Sequence, residues 1–365
     1  MSESASGNPA EKRPRLSVKK KIIFAIVILV VIFVILEIAA RLSDAVRGVD
    51  PTTRLLARLG NYRAHPNLNV MLRPGAGGAN SLGFRGAEIA VPKPAGRIRI
   101  ACLGGSTTYG HALRAEKAYP AQLERILRER FPGRAIEVIN AGVPTHHTLS
   151  MLINFQCRVL PLEPDIICVY ESANDMWPIM THGFKSDYTH FYRDFPDDRV
   201  FDAAAGTNWF IKILECSRVY QILRYRFTDF RRRGELAYYM NNYGRDEWGV
   251  AKEVNEEGVK NFERNLRTIA AAAKEHGVAV VLGTFAFRKS IVPTSAQGEC
   301  YNRMNAVMRE VAEKHGIPVA EVNAAVADNA DNYTNDDIHL SAKGSELQAK
   351  AFADAIVAAR LMENK

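Results

Sequence analysis

The sequence predicts an α/β protein, a three-layer α/β/α sandwich with a mainly parallel, flavodoxin-like sheet, preceded by one N-terminal transmembrane helix. Three observations predict this fold. Strand-like and helix-like segments alternate from residue 97 onward. One of these segments, Asp165–Tyr170, is apolar almost throughout, as is typical of strands buried on both faces of a parallel sheet. A long apolar stretch near the N-terminus stands apart from this alternation.

The N-terminal tail, residues 1–21, is basic, with six lysine and arginine residues against two glutamates. Residues 22–40 follow as an apolar stretch that only Glu37 interrupts. A helix of this length reaches about 28 Å, close to the hydrocarbon thickness of a bilayer. Because basic residues precede the stretch, we expect the N-terminus in the cytoplasm and the residues after Arg41 on the opposite side of the membrane.

A cleaved signal peptide is the alternative to this membrane anchor. The apolar stretch is long for a signal peptide and no clean A-x-A site follows it, so the sequence favours an uncleaved anchor. Residues 41–60 predict a short helix near the membrane. From residue 62 to residue 96 the chain is rich in proline, glycine and asparagine, which predicts an irregular linker rather than a domain.

The main domain is predicted to span residues 97–365. Its predicted strands are 97–103, 135–140, 165–170, 278–285 and 317–322, and its predicted helices are about 117–131, 148–160, 257–275, 298–315 and 342–362. The alternation breaks at about 183–256, which indicates an insertion rich in arginine and aromatic residues. The aromatic residues fit either a substrate-binding lid or the lid's own small core. The arginine run fits either a solvated face or a surface for anionic lipid or acidic polysaccharide.

Charge and cysteine content argue against several classes of function. The net charge is +8, and the first 21 residues carry half of it, so the main domain lacks the excess of basic residues that nucleic-acid binding needs. No C-x-x-C pair occurs, which argues against a redox motif and a zinc site. The five cysteines are Cys102, Cys157, Cys168, Cys216 and Cys300. We therefore expect no cofactor, no metal ion and no nucleic-acid partner.

The strand at 97–103 leads into a glycine turn, Gly104-Gly105, and then into Ser106. In an open α/β sheet, ligands bind at the carboxyl ends of the strands, and glycines let the backbone approach a ligand closely. A phosphate-binding turn would need G-x-x-x-x-G-K-[ST] or G-x-G-x-x-G, and neither is present. Ser106 is therefore a candidate nucleophile, and the alternative is a small residue in a tight turn.

A nucleophilic serine needs a base, and an acid must orient that base. His339 lies in a polar loop before the last predicted helix, with Asp336 three residues upstream. On a turn, this spacing lets the carboxylate reach one imidazole nitrogen while the other faces away. Asp337 is a rival acid. His276 and His315 each precede a glycine that ends a helix, and we predict that both are structural.

Four blocks of the chain, in order, resemble those of the SGNH/GDSL-type serine hydrolases. The blocks are Gly104–Gly110, Asn140–Gly142, Ser172–Asp175 and Asp336–His339, and the lead-in Asn80–Gly86 resembles a segment of membrane-anchored bacterial members. The resemblance implies a catalytic triad of Ser106, His339 and Asp336. It also implies an oxyanion hole made by the backbone N–H groups of Ser106 and Gly142 and by the side chain of Asn174.

The chain departs from the family's pattern at two positions. Gly105 stands where Gly-Asp-Ser has its aspartate, and Ser172 stands where G-x-N-D has its first glycine. Around this site His147, Trp177 and Asp175 are predicted to contact substrate. The alternative for His147 is a loop histidine with satisfied hydrogen bonds, and the alternative for Asp175 is a support for the loop around Asn174.

These expectations predict a membrane-anchored serine esterase that hydrolyses short O-acyl esters, such as acetyl esters, outside the cytoplasm. Its partners would be an acyl-ester small molecule or carbohydrate and, through residues 22–40, the membrane. The same residues would serve an acyltransferase that moves acyl groups to or from envelope or exported polysaccharide. A catalytically inactive carbohydrate-binding module is a third candidate, but it would not require the complete set of serine, glycine, asparagine and histidine.

Overall fold

The computed structural model describes residues 17–47, 62–65, 67–188, 253–289, 295–334 and 336–363, together with residues 190, 214, 217–220 and 223. The first element is helix α1, Val18–Arg47, and its part Val18–Ser43 is long and apolar enough to cross a membrane. In the most apolar 18-residue stretch of this helix, no residue is buried against the other residues that the structure describes. An N-terminal apolar helix is thus confirmed, and it extends beyond the predicted bounds at both ends.

One acid lies within the apolar part of α1, and it has partners on a distant segment. The carboxylate of Glu37 accepts hydrogen bonds from the hydroxyl of Ser217 (2.9 Å) and from the N–H groups of Arg218 (2.8 Å) and Val219 (2.9 Å). It also forms an ion pair with Arg41, one turn further along the helix. The residues at 217–219 therefore bind the carboxyl-terminal half of α1.

A hairpin precedes the main sheet. Strand β1, Tyr62–His65, pairs antiparallel with β2, Leu68–Leu72. The prediction of an irregular segment over 62–96 was wrong for this part, because strands of four and five residues are too short to show a periodic pattern. Apolar side chains of the hairpin form a small second core with residues from the main domain. Its members are Tyr62, Val70, Leu72, Ala79, Tyr109 and Val143.

Among the residues that the structure describes, five parallel strands form the main sheet in the order β4-β3-β5-β6-β7. They are β3 Arg97–Gly104, β4 Ala135–Gly142, β5 Ile166–Tyr170, β6 Ala279–Gly283 and β7 Val319–Ala320. This is the flavodoxin-like order, which confirms the predicted sheet. All of β5 is buried, as its apolar sequence predicted. The register places Gly104 of β3 opposite Gly142 of β4 and Tyr170 of β5.

Helices cover both faces of this sheet. They are α2 Ser106–Tyr109, α3 Tyr119–Arg130, α4 Thr148–Asn154, α5 Ala173–Ile179, α6 Glu256–Glu275, α7 Ser295–His315, α8 Val322–Val326 and α9 Ala342–Ala358. One layer contains α3 packed on α9, and the other contains α6 packed on α4, α5 and α7. The side chain of Asn255 caps α6 by accepting from the N–H of Gly258, and Ser341 caps α9 in the same way. The predicted three-layer sandwich is confirmed.

Three predicted segments differ from the structure or lie outside it. The helix predicted at 148–160 is α-helical only to Asn154 and continues as a π turn and a 3-10 turn, where Pro161 cannot donate to the helical ladder. Beyond Arg47, the helix predicted at 41–60 lies outside the described residues. Most of the insertion predicted at 183–256 also lies outside the described residues, including Trp209, Trp248 and the arginine run.

Candidate active site

Ser106 is the first residue of α2, directly after the carboxyl end of β3. Close packing fixes this short helix on the sheet. A Cβ at Gly104 would overlap the side chain of Thr108 and the carbonyl oxygen of Tyr170. A Cβ at Gly142 would overlap the backbone N of Tyr109. Two glycines on adjacent strands therefore let the helix that begins with Ser106 lie directly against the edge of the sheet.

The loop before α9 brings His339 and Asp336 to the same edge. Oδ1 of Asp336 accepts hydrogen bonds from the N–H groups of Ile338 (3.1 Å) and His339 (2.7 Å), which fixes the turn. Its Oδ2 lies 2.6 Å from Nδ1 of His339. Nε2 of His339 lies 2.8 Å from Oγ of Ser106. A chain of hydrogen bonds thus runs from the carboxylate through the imidazole to the hydroxyl.

The two neighbouring aspartates of this loop differ in environment. Burial alone would raise the pKa of Asp336, but hydrogen bonds from the ring and backbone of His339 and from the Ile338 N–H lower it below its usual value. Asp336 therefore keeps its negative charge beside the imidazole. Burial raises the pKa of Asp337. The ring of His339 bonds to Asp336 and not to this rival acid, which corrects the alternative that the sequence left open.

The predicted oxyanion donors lie in different settings. The N–H of Ser106 is the first of α2 and has no acceptor within the helix. The side chain of Asn174, in the first turn of α5, lies beside the Ser106 turn. Its Nδ2 is so close to Gly105 that a Cβ at that position would overlap it. This Nδ2 donates to the carbonyl oxygen of His146 (3.0 Å), which leaves its second hydrogen for another acceptor.

Gly142 does not fit the role that the resemblance implied. Its N–H donates to Oδ1 of Asn140 over 3.0 Å. Backbone N–H groups alternate in direction along a strand, and that of the next residue, Val143, points toward β3, where it bonds to Gly104. The Gly142 N–H therefore faces the outer side of edge strand β4, away from Ser106. Gly142 is required instead for the close packing of α2.

Residues 102–347 match the model of the GDSL-like Lipase/Acylhydrolase family. The chain belongs to this family. The matched range covers Ser106, Asn174, Asp336 and His339. The protein is accordingly an ester-hydrolysing enzyme of the serine hydrolase type. No curated protein matches its sequence.

Several solved structures are similar to this GDSL-like acylhydrolase. The lipase/acylhydrolase from Enterococcus faecalis is 18% identical, with 72% of this chain and 96% of that chain covered and a TM-score of 0.44. The acetylxylan esterase from Geobacillus stearothermophilus is 15% identical, with 71% and 94% covered and a TM-score of 0.44. An alpha/beta hydrolase enzyme from the metagenome of Lake Arreo, Spain, is 17% identical, with 73% and 96% covered and a TM-score of 0.44. The family assignment rests on the sequence match.

Two residues predicted to contact substrate in this GDSL-like acylhydrolase lie inside the protein. Asp175 is fully buried, and its carboxylate accepts from the hydroxyl and N–H of Thr148 and from the hydroxyl of Tyr188. His147 is also buried; its side chain caps α4 by accepting from the N–H of Ser150, and its ring contacts Tyr188 edge-on. Both support the loops around the site, which corrects the prediction. Half-buried Trp177 packs against the main core, and its contact with substrate stays a prediction.

Three features of the site were not predicted. Glu171, at the end of β5, is buried and accepts from the N–H groups of Ser172 and Asn174. The ring of His111 contacts that of His339 in a tilted arrangement, with an interplanar angle of 34° and centroids 4.5 Å apart. Thr145 adopts a left-handed conformation, with a φ of 74°. Of these, only Glu171 carried a signal in the sequence, since it is an acid that directly follows a buried strand. Within the part of the chain that is described, no cluster of acidic, histidine or cysteine residues is suited to a metal ion.

Proposed function

We propose that this enzyme is a membrane-anchored serine esterase in which Ser106, His339 and Asp336 form the catalytic triad. The observation that carries this proposal is the pair of contacts on one imidazole, 2.8 Å to the Ser106 hydroxyl and 2.6 Å to the Asp336 carboxylate. A nucleophile, a base and an orienting acid in contact are the arrangement that makes a serine hydroxyl reactive.

In the proposed reaction, Nε2 of His339 takes the proton of Ser106 as the serine oxygen bonds to the ester carbonyl carbon. The carbonyl oxygen gains the negative charge, and the carboxylate of Asp336 stabilises the imidazolium. When the tetrahedral intermediate collapses, the bond to the alcohol oxygen breaks and His339 protonates the departing alcohol. Water, deprotonated by the same imidazole, then attacks the acyl-enzyme and releases the acid and free Ser106.

The developing oxyanion is proposed to bind between the N–H of Ser106 and the second amide hydrogen of Asn174. The first donor sits at a helix N-terminus, where the partial positive charge favours an anion. The second is held by its bond to the His146 carbonyl oxygen. Donors that are oriented before the reaction begins lower the barrier most, and the loss of one costs about 100- to 1,000-fold in rate.

We further propose that α1 anchors the enzyme with its main domain outside the cytoplasm of a bacterial cell. Three consecutive lysines, Lys19–Lys21, lie at the start of a helix whose mean hydropathy reaches 3.4. Extraction of membranes at alkaline pH would leave an anchored enzyme in the pellet and release a cleaved one. In spheroplasts, external protease should digest the main domain and leave the N-terminal tail intact.

The proposed substrates are short O-acyl esters, of small molecules or of carbohydrate. A series of p-nitrophenyl esters from acetate to decanoate tests this, and we expect kcat/KM to fall as the acyl chain lengthens. If the acyl group instead passes to a sugar hydroxyl, the product with an acetyl donor and an oligosaccharide acceptor would be the acetylated sugar rather than free acetate. That result would favour the acyltransferase.

Labelling with a fluorophosphonate probe tests the triad directly, because the probe bonds only to an activated serine. The full-length enzyme in detergent should be labelled and should hydrolyse p-nitrophenyl acetate. Ser106→Ala should lose both properties. Ser81→Ala, which removes an exposed hydroxyl that donates to surface Glu88, should keep both. Unchanged activity in Ser106→Ala would refute the assignment, and a folded wild-type enzyme that resists labelling would favour the binding module.

A further inference from the structure

A buried carboxylate lies directly behind the proposed oxyanion site. Only 1% of Glu171 is exposed, and the residue follows β5 at the edge of the sheet that carries Ser106. Its Oε1 accepts from the N–H of Ser172 (3.0 Å) and from the N–H of Asn174 (2.8 Å). Burying a carboxylate is costly unless hydrogen bonds compensate. Both bonds go to the turn that presents Asn174, so Glu171 fixes the backbone of that turn.

The other carboxylate oxygen faces the nucleophile turn. A Cβ at Gly105 would overlap Oε2 of Glu171 and also Nδ2 of Asn174. The φ of Gly105 is −91°, outside the left-handed region, and the space beside its Cα leaves no room for a side chain. Burial and the nearby charge of Asp175 raise the pKa of the Glu171 carboxyl group to about 8, although hydrogen bonds from the N–H groups of Asn174, Gly105 and Ser172 lower it. Glu171 therefore contacts both turns of the site.

We propose that Glu171 is a positioning residue of the oxyanion hole, which sets the distance between the Asn174 amide and the Ser106 N–H. This proposal rests on the proposed serine-esterase function. The carboxyl group of Glu171 fills the space beside Gly105 and accepts from the backbone N–H of Asn174, so it links the two turns and sets their spacing. The chain lacks an acid at Gly105, where the G-D-S-L pattern has aspartate, and a buried carboxylate enters the same space from the neighbouring strand.

The amide of Asn174 is restrained at both ends. Its backbone N–H bonds to Glu171, and its Nδ2 bonds to the carbonyl oxygen of His146. With both bonds made, rotation of the side chain would break a buried hydrogen bond. The remaining amide hydrogen is thus aimed before substrate arrives, which is the condition under which a donor stabilises a transition state most. Without Glu171, only the bond to His146 would restrain it.

Steady-state kinetics of the full-length enzyme with p-nitrophenyl acetate test this role. Glu171→Ala should lower kcat about 100-fold, as expected for a small displacement of a catalytic group, and should leave KM nearly unchanged. Glu171→Gln keeps an acceptor oxygen and almost the same volume, so it should recover most of the lost rate. Gly105→Ala should also lower kcat, because its Cβ pushes against Glu171 and Asn174 from the opposite side.

The control for general destabilisation is Glu137→Ala. Glu137 pairs with buried Arg99 near the amino ends of the strands, at the end of the sheet opposite the site. This variant should unfold at a lower temperature and keep the wild-type kcat. In the variant that combines Gly105→Ala and Glu171→Ala, the fold-loss in kcat should be much smaller than the product of the two single fold-losses, because both changes act through Asn174.

The outcomes separate the two proposals. If Ser106→Ala is inactive and unlabelled while folded Glu171→Ala keeps the kcat of Glu137→Ala, the positioning role is wrong and the esterase proposal stands. If Glu171→Ala does not fold, Gly105→Ala with an unchanged kcat overturns the role. Equal losses in Glu171→Gln and Glu171→Ala would also count against it, since only the alanine variant removes the acceptor. An active Ser106→Ala variant would remove the basis of both proposals.

Discussion

The guanidinium of Arg85 lies over the ring of Tyr109, 3.9 Å from its centroid, and donates a hydrogen bond to the carbonyl oxygen of that residue (2.7 Å). Arg85 also donates to the carbonyl oxygens of Gly110 (3.0 Å) and Leu113 (2.5 Å). These acceptors lie at the end of α2 and just beyond it. A helix of one turn is not stable alone, so a charged donor from the preceding loop holds the element that begins with Ser106.

Replacement of Arg85 by methionine should destabilise the enzyme. Methionine retains the unbranched apolar stem of the arginine side chain but leaves three buried carbonyl groups without their charged donor. We expect the free energy of unfolding to fall by about 3 kcal/mol, together with kcat, as measured by urea denaturation and p-nitrophenyl acetate hydrolysis. Arg125→Met is the control, because half-exposed Arg125 pairs with surface glutamates and its replacement should change stability little. Equal losses in the two variants would contradict the role of Arg85.

Asp336→Asn should lower kcat by about 1,000- to 10,000-fold without unfolding the protein. The amide cannot stabilise the imidazolium and favours the wrong tautomer of His339. Asp337→Asn, one residue along, should stay within about threefold of wild type, because the imidazole bonds to Asp336 alone of the two. The measurement is kcat of both variants at pH 8. A larger loss in Asp337→Asn would reverse the assignment of the acid.

Asn174→Ala should lower kcat about 100- to 1,000-fold with little change in KM, because the lost hydrogen bond forms only in the transition state. Asn302→Ala, on the exposed face of α7, is the matched control and should have no effect. Gly142→Ala should instead lower the melting temperature, because its Cβ overlaps the backbone of α2. A variant Gly142→Ala that keeps wild-type stability would contradict the packing role of this glycine.

Stability at acidic pH should depend on His147. Burial, and to a smaller extent the charge of His146, lowers its pKa from 6.5 to about 3. The unfolded chain therefore binds a proton below pH 6.5 that the folded protein does not bind until about pH 3, so this group removes stability as the pH falls through that window. His147→Asn keeps a side-chain acceptor for capping α4. Within this pH window its free energy of unfolding should fall by about 1.4 kcal/mol less per pH unit than that of wild type.

Urea denaturation of the two proteins at pH 7 and pH 5 measures this difference. Asn302→Ala, on the exposed face of α7, is again the control, because it removes no titratable group and should leave the pH dependence unchanged. Parallel pH profiles for wild type and His147→Asn would show that the histidine is accessible to protons in the folded state.

The sequence predicted the strands of the sheet and the pairing of His339 with Asp336 because each depends on local signals. The contact of His339 with Ser106, 233 residues away in the chain, followed from the family resemblance instead. A strand buried on both faces, such as β5, must be apolar throughout, and the parallel pattern brings the carboxyl ends of successive strands to one edge. The turn at Asp336 needs only a spacing of three residues. These features are determined by residues that are near one another in the chain.

The remainder of the site depends on contacts that no local pattern shows. Gly142 is a strand residue, and only the sheet order reveals that its N–H faces the outer edge. Acidic side chains are mostly exposed in proteins, so the sequence alone predicts that Glu171 and Asp175 lie at the surface, whereas both are buried. Hydrogen bonds offset this burial: Asp175 accepts from Thr148 and Tyr188, and Glu171 accepts from the N–H groups of Ser172 and Asn174. The pairings of Asp175 form only once the chain has folded.

The hairpin between α1 and the main sheet sets the minimum length of an active soluble fragment. Nε2 of His146 lies 2.7 Å from the carbonyl oxygen of Val70 in β2, and the carbonyl oxygen of His146 holds the amide of Asn174. A fragment that starts at Arg97, where the main domain was predicted to begin, would lose this tie and Arg85 as well. A protease cut between α1 and Tyr62 would leave the hairpin joined to the catalytic unit, which would keep its bonds from residues 217–219 to Glu37 of α1. A cut after Leu72 would instead separate the hairpin from the catalytic unit.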